Sequence, residues 1–124
     1  MRAALAVLMA LHAMAHLPGV IVDWRLSAIP ELPYRTSVLG GRLSLGDAGI
    51  RTMGALWLLA AAGFSLAAIA GGLGRPVWIP VALAAAGLSL LLSILAAPES
   101  RIGIAVNLLI IAAILWGRLT GHLV

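Results

Sequence analysis

AALAVLMALHAMAHLPGVIVDW, residues 3–24, decides how many times the chain crosses a membrane. Read as a secretory leader, it has Arg2 as a basic start, a short apolar stretch and Ala13-Met14-Ala15 as a cleavage-like triplet. Read as a span, it has the length a bilayer core demands, roughly 20 residues rising 1.5 Å each. Met1 is present and the apolar run continues past the triplet to Trp24, so we take it as a retained first span.

Three further apolar runs follow at about 48–70, 77–97 and 102–117. Of the 124 residues, 63% are hydrophobic and 10% charged, whereas soluble domains are only about half apolar. The reading is an all-α integral membrane protein, one domain covering residues 1–124, with four transmembrane helices in an antiparallel bundle. GGLGRP (71–76) and APESR (97–101) make tight turns, and residues 25–46 form one long polar loop between the first two helices.

Local chemistry supports these boundaries. Asp47 opens the second run, where a carboxylate suits the helix dipole, and Gly71, Gly72 and Gly74 can end it. Pro76 and Pro98 fit first-turn positions, where a missing N–H costs nothing. Gly63, Ala67 and Gly71, and Ala85, Ser89 and Ser93, recur at helical spacing and predict close helix packing.

Composition excludes several chemistries. With no cysteine there is no thiolate site, and with no lysine no Schiff base of the retinal type. No G-x-S-x-G elbow is present. Eight arginines against four acids make the chain basic, but they are scattered between apolar runs, so nucleic acid is rejected as a partner.

Four spans put both termini on one face with Arg2, Arg75 and Arg118. The opposite face receives Arg25, Arg35, Arg42, Arg51 and Arg101 together with all four acids. Counting arginines alone favours that second face as cytoplasmic. Because its arginines have acids nearby, we instead place the termini in the cytoplasm, in a bacterial plasma (inner) membrane. Trp24, Trp78 and Trp116 fall where interfacial anchors belong, while Trp57 lies deeper.

Within LHAMAHLPG (11–19) two histidines stand four apart. On one helix His12, His16, Gly19 and Asp23 share a stripe from mid-membrane to the surface opposite the termini. Asp47, Arg51 and Gly54 form a second stripe entering from that surface. Glu99, Ser100 and Arg101 open the last helix, with Asn107 buried beyond them. Ionisable groups inside a bilayer are costly, so they face the interior, pair, and mark function.

From this convergence His16 and Asp23 are expected as acid and base. His12, Asp47, Arg51, Arg101 and Asn107, with Arg35, Arg42 and Glu99, are expected to hold a ligand. The plainer alternative has Asp47 as a helix cap paired with Arg51, Glu99 beside Arg101, Asn107 as interhelical glue, and Ser89 and Ser93 as packing residues. A metal on His12 and His16 needs a third ligand from another helix, since no glutamate follows as in H-E-x-x-H. Haem likewise needs a second axial ligand from elsewhere.

SAIPELPYRTSVLGGRLSLGDAGIR (27–51) is stiffened by Pro30 and Pro33, loosened by Gly40 and Gly41, and too apolar to be a solvated tether. It is expected to pack on the bundle as a lid. The leading functional reading is an intramembrane site that binds or converts an amphipathic, lipid-like small molecule. A proton- or ion-coupled transporter, oligomeric because four helices rarely enclose a path, and an accessory subunit of a larger membrane complex are the alternatives. No cofactor is required; membrane lipid, a lipid-like ligand, further copies or complex partners are the expected contacts.

Overall fold

The computed structural model describes residues 1–123. The elements, in chain order, are α1 (Arg2–Ala15), α2 (Leu17–Asp23), β1 (Ser37–Val38), β2 (Leu43–Ser44), α3 (Gly46–Gly72), α4 (Trp78–Leu95) and α5 (Arg101–Leu119). Four helical stretches are long and apolar enough to cross a membrane: α1 with α2, then α3, α4 and α5. They coincide with the four expected runs to within a few residues.

Two features add detail to these expectations. The first span is not one continuous helix, because α1 ends at Ala15, His16 is its cap, and α2 starts at Leu17. Pro18 is the physical cause: it has no N–H to give the Met14 carbonyl, and its ring crowds the preceding turn. The chain tightens there, and the His16 N–H bonds to the Ala13 carbonyl at 3.2 Å instead of to His12. Nor is the chain wholly α-helical outside its turns. Within the 25–46 segment β1 and β2 pair antiparallel, Ser37 opposite Ser44 and Val38 opposite Leu43. Leu39, Gly40 and Gly41 all have positive φ, which lets the hairpin close in so few residues.

This hairpin is packed down. The Leu39 N–H donates to the Leu95 carbonyl at the end of α4 (2.8 Å), and Val38 is buried with Ile50, Met53, Trp57 and Leu92. A second, larger cluster holds Met9, Phe64, Ala67, Trp78, Ile110 and Ile114. Near it, Met1 and Leu123 both lie against Gly117, and the Arg2 guanidinium lies against the turn at Gly74.

α3 packs on α1, α2 and α4, and α5 packs on α4, whereas α1 and α5 barely touch. The α2–α3 contact is an exchange of tryptophans for glycines. Trp57 of α3 covers Gly19, and Trp24 covers Gly54, where an added Cβ would come within 2.7 Å of the indole. Trp24 also donates its indole N–H to the Arg51 carbonyl at 2.9 Å. Gly54→Ala is therefore expected to displace Trp24 and break that bond. Overpacking of this kind costs about 1–3 kcal/mol, measurable as a lower thermal midpoint with altered tryptophan fluorescence.

Candidate functional site

The break at His16 has a direct chemical consequence. With the His16 N–H diverted, the His12 carbonyl loses its helical donor, and the His16 ring takes its place: Nδ1 lies 2.6 Å from that carbonyl oxygen. A carbonyl only accepts, so Nδ1 carries the hydrogen and Nε2 of the neutral ring is an acceptor. That Nε2 lies 2.6 Å from the Ser89 hydroxyl, which therefore donates to it. The Ser89 oxygen in turn accepts from the Asn107 Nδ2 at 2.8 Å. Asn107 Oδ1 then accepts from the His12 Nε2 at 3.0 Å, closing a one-directional circuit.

The circuit joins α1, α4 and α5 away from water. His16 is 4% exposed, and Asn107 and Ser89 are fully buried. Ser93 stands at its edge, 3.5 Å from Asn107 Nδ2. The His12 and His16 rings meet edge-on with centroids 4.6 Å apart, and both rest on Phe64. Every donor and acceptor in the circuit is used except His12 Nδ1, which has no partner among the described residues. Only Asp23 Oδ2 is both sealed from solvent and unpaired there, so His12 Nδ1 remains open.

Because α1 and α5 barely touch, a cavity of about 530 Å³ opens between them. Its walls are mostly apolar, with Leu8, Leu11, Ala15, Ile102 and Val106 from the flanking helices and Met53 and Trp57 from α3. The packed-down hairpin closes one end through Val38 to Gly41. Its polar lining comprises His12, His16, Asp23, Arg35, Ser37, Ser93, Glu99 and Ser100.

The expected site residues thus divide into groups. His12, His16, Asp23, Arg35 and Glu99 line one cavity. Asn107 stands behind the wall as the link between His12 and Ser89. Asp47, Arg51, Arg42 and Arg101 lie outside the cavity lining. Instead of pairing with Arg51, Asp47 accepts from the Arg25 guanidinium and from the Tyr34 hydroxyl, both at 2.5 Å. Hydrogen bonding to Tyr34 and the nearby Asp47 carboxylate hold the Arg25 guanidinium above its ordinary pKa. Glu99 does not pair with Arg101 but with Arg35, at 2.9 Å.

Ser89, expected to be a packing residue, turns out to be a hydrogen-bonding member of the circuit. Its spacing with Ser93 along α4 places both on one face, but serine is also a small packing residue, so spacing alone does not separate the two roles. Tyr34 and Arg25 were not anticipated. The signal in hindsight holds for Tyr34, a hydrogen-bonding side chain in the apolar 27–51 segment, whereas Arg25 precedes that segment and is exposed.

Chemically, both His16 nitrogens are engaged; of the ionisable side chains on the cavity wall, His12 at Nδ1 and the Asp23 carboxyl are left without a partner among the described residues. Among the described residues, no cluster of three His, Cys, Asp or Glu side chains is close enough to hold a metal. The lone pair His16 would lend to a metal or haem iron is occupied by Ser89. No protein-family model, curated protein or solved structure matches this chain.

Proposed function

We propose that the chain is a four-span, antiparallel helical bundle of a bacterial plasma membrane that binds an amphipathic, lipid-like molecule in the cavity between α1 and α5. Both termini lie on the cytoplasmic side. Arg25 and Arg35, at the opposite end, are paired with acids, which leaves the arginines near the termini to interact with the inner leaflet.

The observation that carries the reading is the cavity itself. Ligand sites occupy roughly 300–1,000 Å³, mostly apolar with a few placed polar groups, and this one has about 530 Å³. Helices that do not meet across it leave a lateral route from the lipid, so an acyl chain enters without crossing water. The hairpin over one end keeps the chain inside, and the polar groups near Asp23, Arg35 and Glu99 receive the head. Asp23 and His12 supply an acceptor each for any proton transfer to the bound molecule.

A transporter is supported less well, because the cluster around Phe64, Trp78 and Ile114 is apolar and offers no polar continuation toward the termini. An accessory-subunit role gains nothing specific from the polar groups, since the circuit faces inward and all of it but His12 Nδ1 is satisfied within the chain.

Ala15 lines the cavity yet belongs to neither buried cluster, so Ala15→Trp fills the space without disturbing the core. Native mass spectrometry of protein released gently from its own membrane is expected to show a retained amphiphile in the wild type. The Ala15→Trp protein should lose it at an unchanged thermal midpoint. A bare wild-type protein, or equal retention by the variant, would reject the reading.

A further inference from the structure

The cavity contains one carboxylate with nothing to meet. Four acids occur in the chain; Glu31 is exposed and outside the cavity lining, Asp47 is held by Arg25 and Glu99 by Arg35. Asp23 forms no salt bridge and accepts no hydrogen bond from any described residue, and its Oδ2 is sealed against protein without a partner. Its nearest arginine in sequence, Arg25, is turned to Tyr34 and Asp47. Of the charged groups on the cavity wall, Arg35 and Glu99 neutralise each other, leaving Asp23 uncompensated.

The hydrogen-bonding character of the wall points the same way. His12 Nδ1 is an acceptor, because Nε2 carries the hydrogen given to Asn107. The Ser100 hydroxyl is spent on the Ser93 carbonyl, and Arg35 Nη1 donates to Glu99 Oε1. The Leu39 and Gly41 N–H groups, at the hairpin end, are bonded to Leu95 and Val38 carbonyls. The wall therefore carries net negative charge, with unpaired acceptors at Asp23 and His12 Nδ1.

We propose that the amphiphile is a lipophilic amine, an alkyl chain ending in a protonated amino group that donates to Asp23 Oδ1, the carboxylate oxygen that protein does not seal. This rests on the reading of the cavity as an amphiphile site. A half-buried carboxylate without a partner is costly, and a cation brought by the ligand reduces that cost while forming a charge-assisted hydrogen bond. A fatty acid or phosphate head would add a second anion beside Asp23. An alcohol would satisfy one acceptor and leave the charge uncompensated.

The test uses the full chain in phosphatidylcholine nanodiscs with four probes sharing one tail: dodecylamine, dodecanol, dodecanoate and dodecyltrimethylammonium. Ala15→Trp serves as the baseline for partition into lipid. Dodecylamine is expected to bind the wild type saturably and about tenfold or more tighter than dodecanol or dodecanoate. Dodecyltrimethylammonium, which has charge but no N–H, should fall between them. In Asp23→Asn the amine's advantage should shrink to about threefold or less with dodecanol binding unchanged. Equal binding of amine, alcohol and carboxylate to the wild type would overturn the amine while leaving the cavity reading intact. So would an amine preference that persists in Asp23→Asn. No saturable binding of any probe above the Ala15→Trp baseline would sink both. If Asp23→Asn does not fold, the wild-type ranking of the four heads decides alone.

Discussion

Asn107→Leu should lower the free energy of unfolding by about 2 kcal/mol while leaving helix content unchanged. Leucine fills similar space, so the loss is one of hydrogen bonds. His12 Nε2–H loses its acceptor, and Ser89 loses the donor that balances its bond to His16. Unsatisfied buried groups cost about 1–3 kcal/mol each in water-soluble proteins. In lipid the average per interhelical bond is nearer 0.6 kcal/mol, because the separated helices find other partners. Two bonds to a fully buried amide place this case between those limits. The effect is also directional: α5 packs on α4 but barely touches α1, and Asn107 to His12 is the polar tie between them. Chemical denaturation in mild detergent measures it, and a change under about 0.5 kcal/mol would mean the circuit contributes no net stability.

Phe64→Ala should cost more, about 2–4 kcal/mol. Phe64 is fully buried, with ring centroids 5.0 Å from His12 and 5.5 Å from His16. In water much of the loss would be a transfer term, but lipid tails solvate a phenyl ring nearly as well as the protein does. What remains is the packing lost around the void, which is large for a ring that size. The same void frees His12 to tilt, so the variant should also weaken the bond to Asn107. Combined with Asn107→Leu, the two changes are then less than additive, by about 0.5 kcal/mol or more. Strict additivity would show that Phe64 supports the helices without holding the imidazoles in place.

How far the site was legible follows from particular residues. The stripe His12–His16–Asp23 follows from spacing alone, since positions four apart on a helix share a face. That both histidines and Asp23 border one cavity extends this face across the break at His16. The plainer alternative paired Asp47 with Arg51 and Glu99 with Arg101 because short-range pairing rules favour those arginines. The folded hairpin instead carries Arg35 to Glu99 and lays Tyr34 beside Asp47. Such contacts, 64 residues apart for Arg35 and Glu99, leave no periodic trace. The use of Ser89 was hidden for a different reason, since serine reads equally as a small packing residue and as a hydrogen-bonding one.

By itself the sequence determined the number, length and boundaries of the apolar helices, because hydropathy, proline and glycine act within a turn or two of where they stand. It also determined that polar side chains recur at helical spacing in the first span and near the start of the last. Only the tertiary structure decided which of them meet. The rotation of α5 about its axis brings Asn107 to His12 across 95 residues of sequence. The break at His16 frees a carbonyl for its own ring, and the failure of α1 and α5 to close on one another leaves Asp23 facing a cavity instead of a partner. Each of these depends on the relative placement of whole helices, which is set by the sum of many weak contacts and not by any one residue.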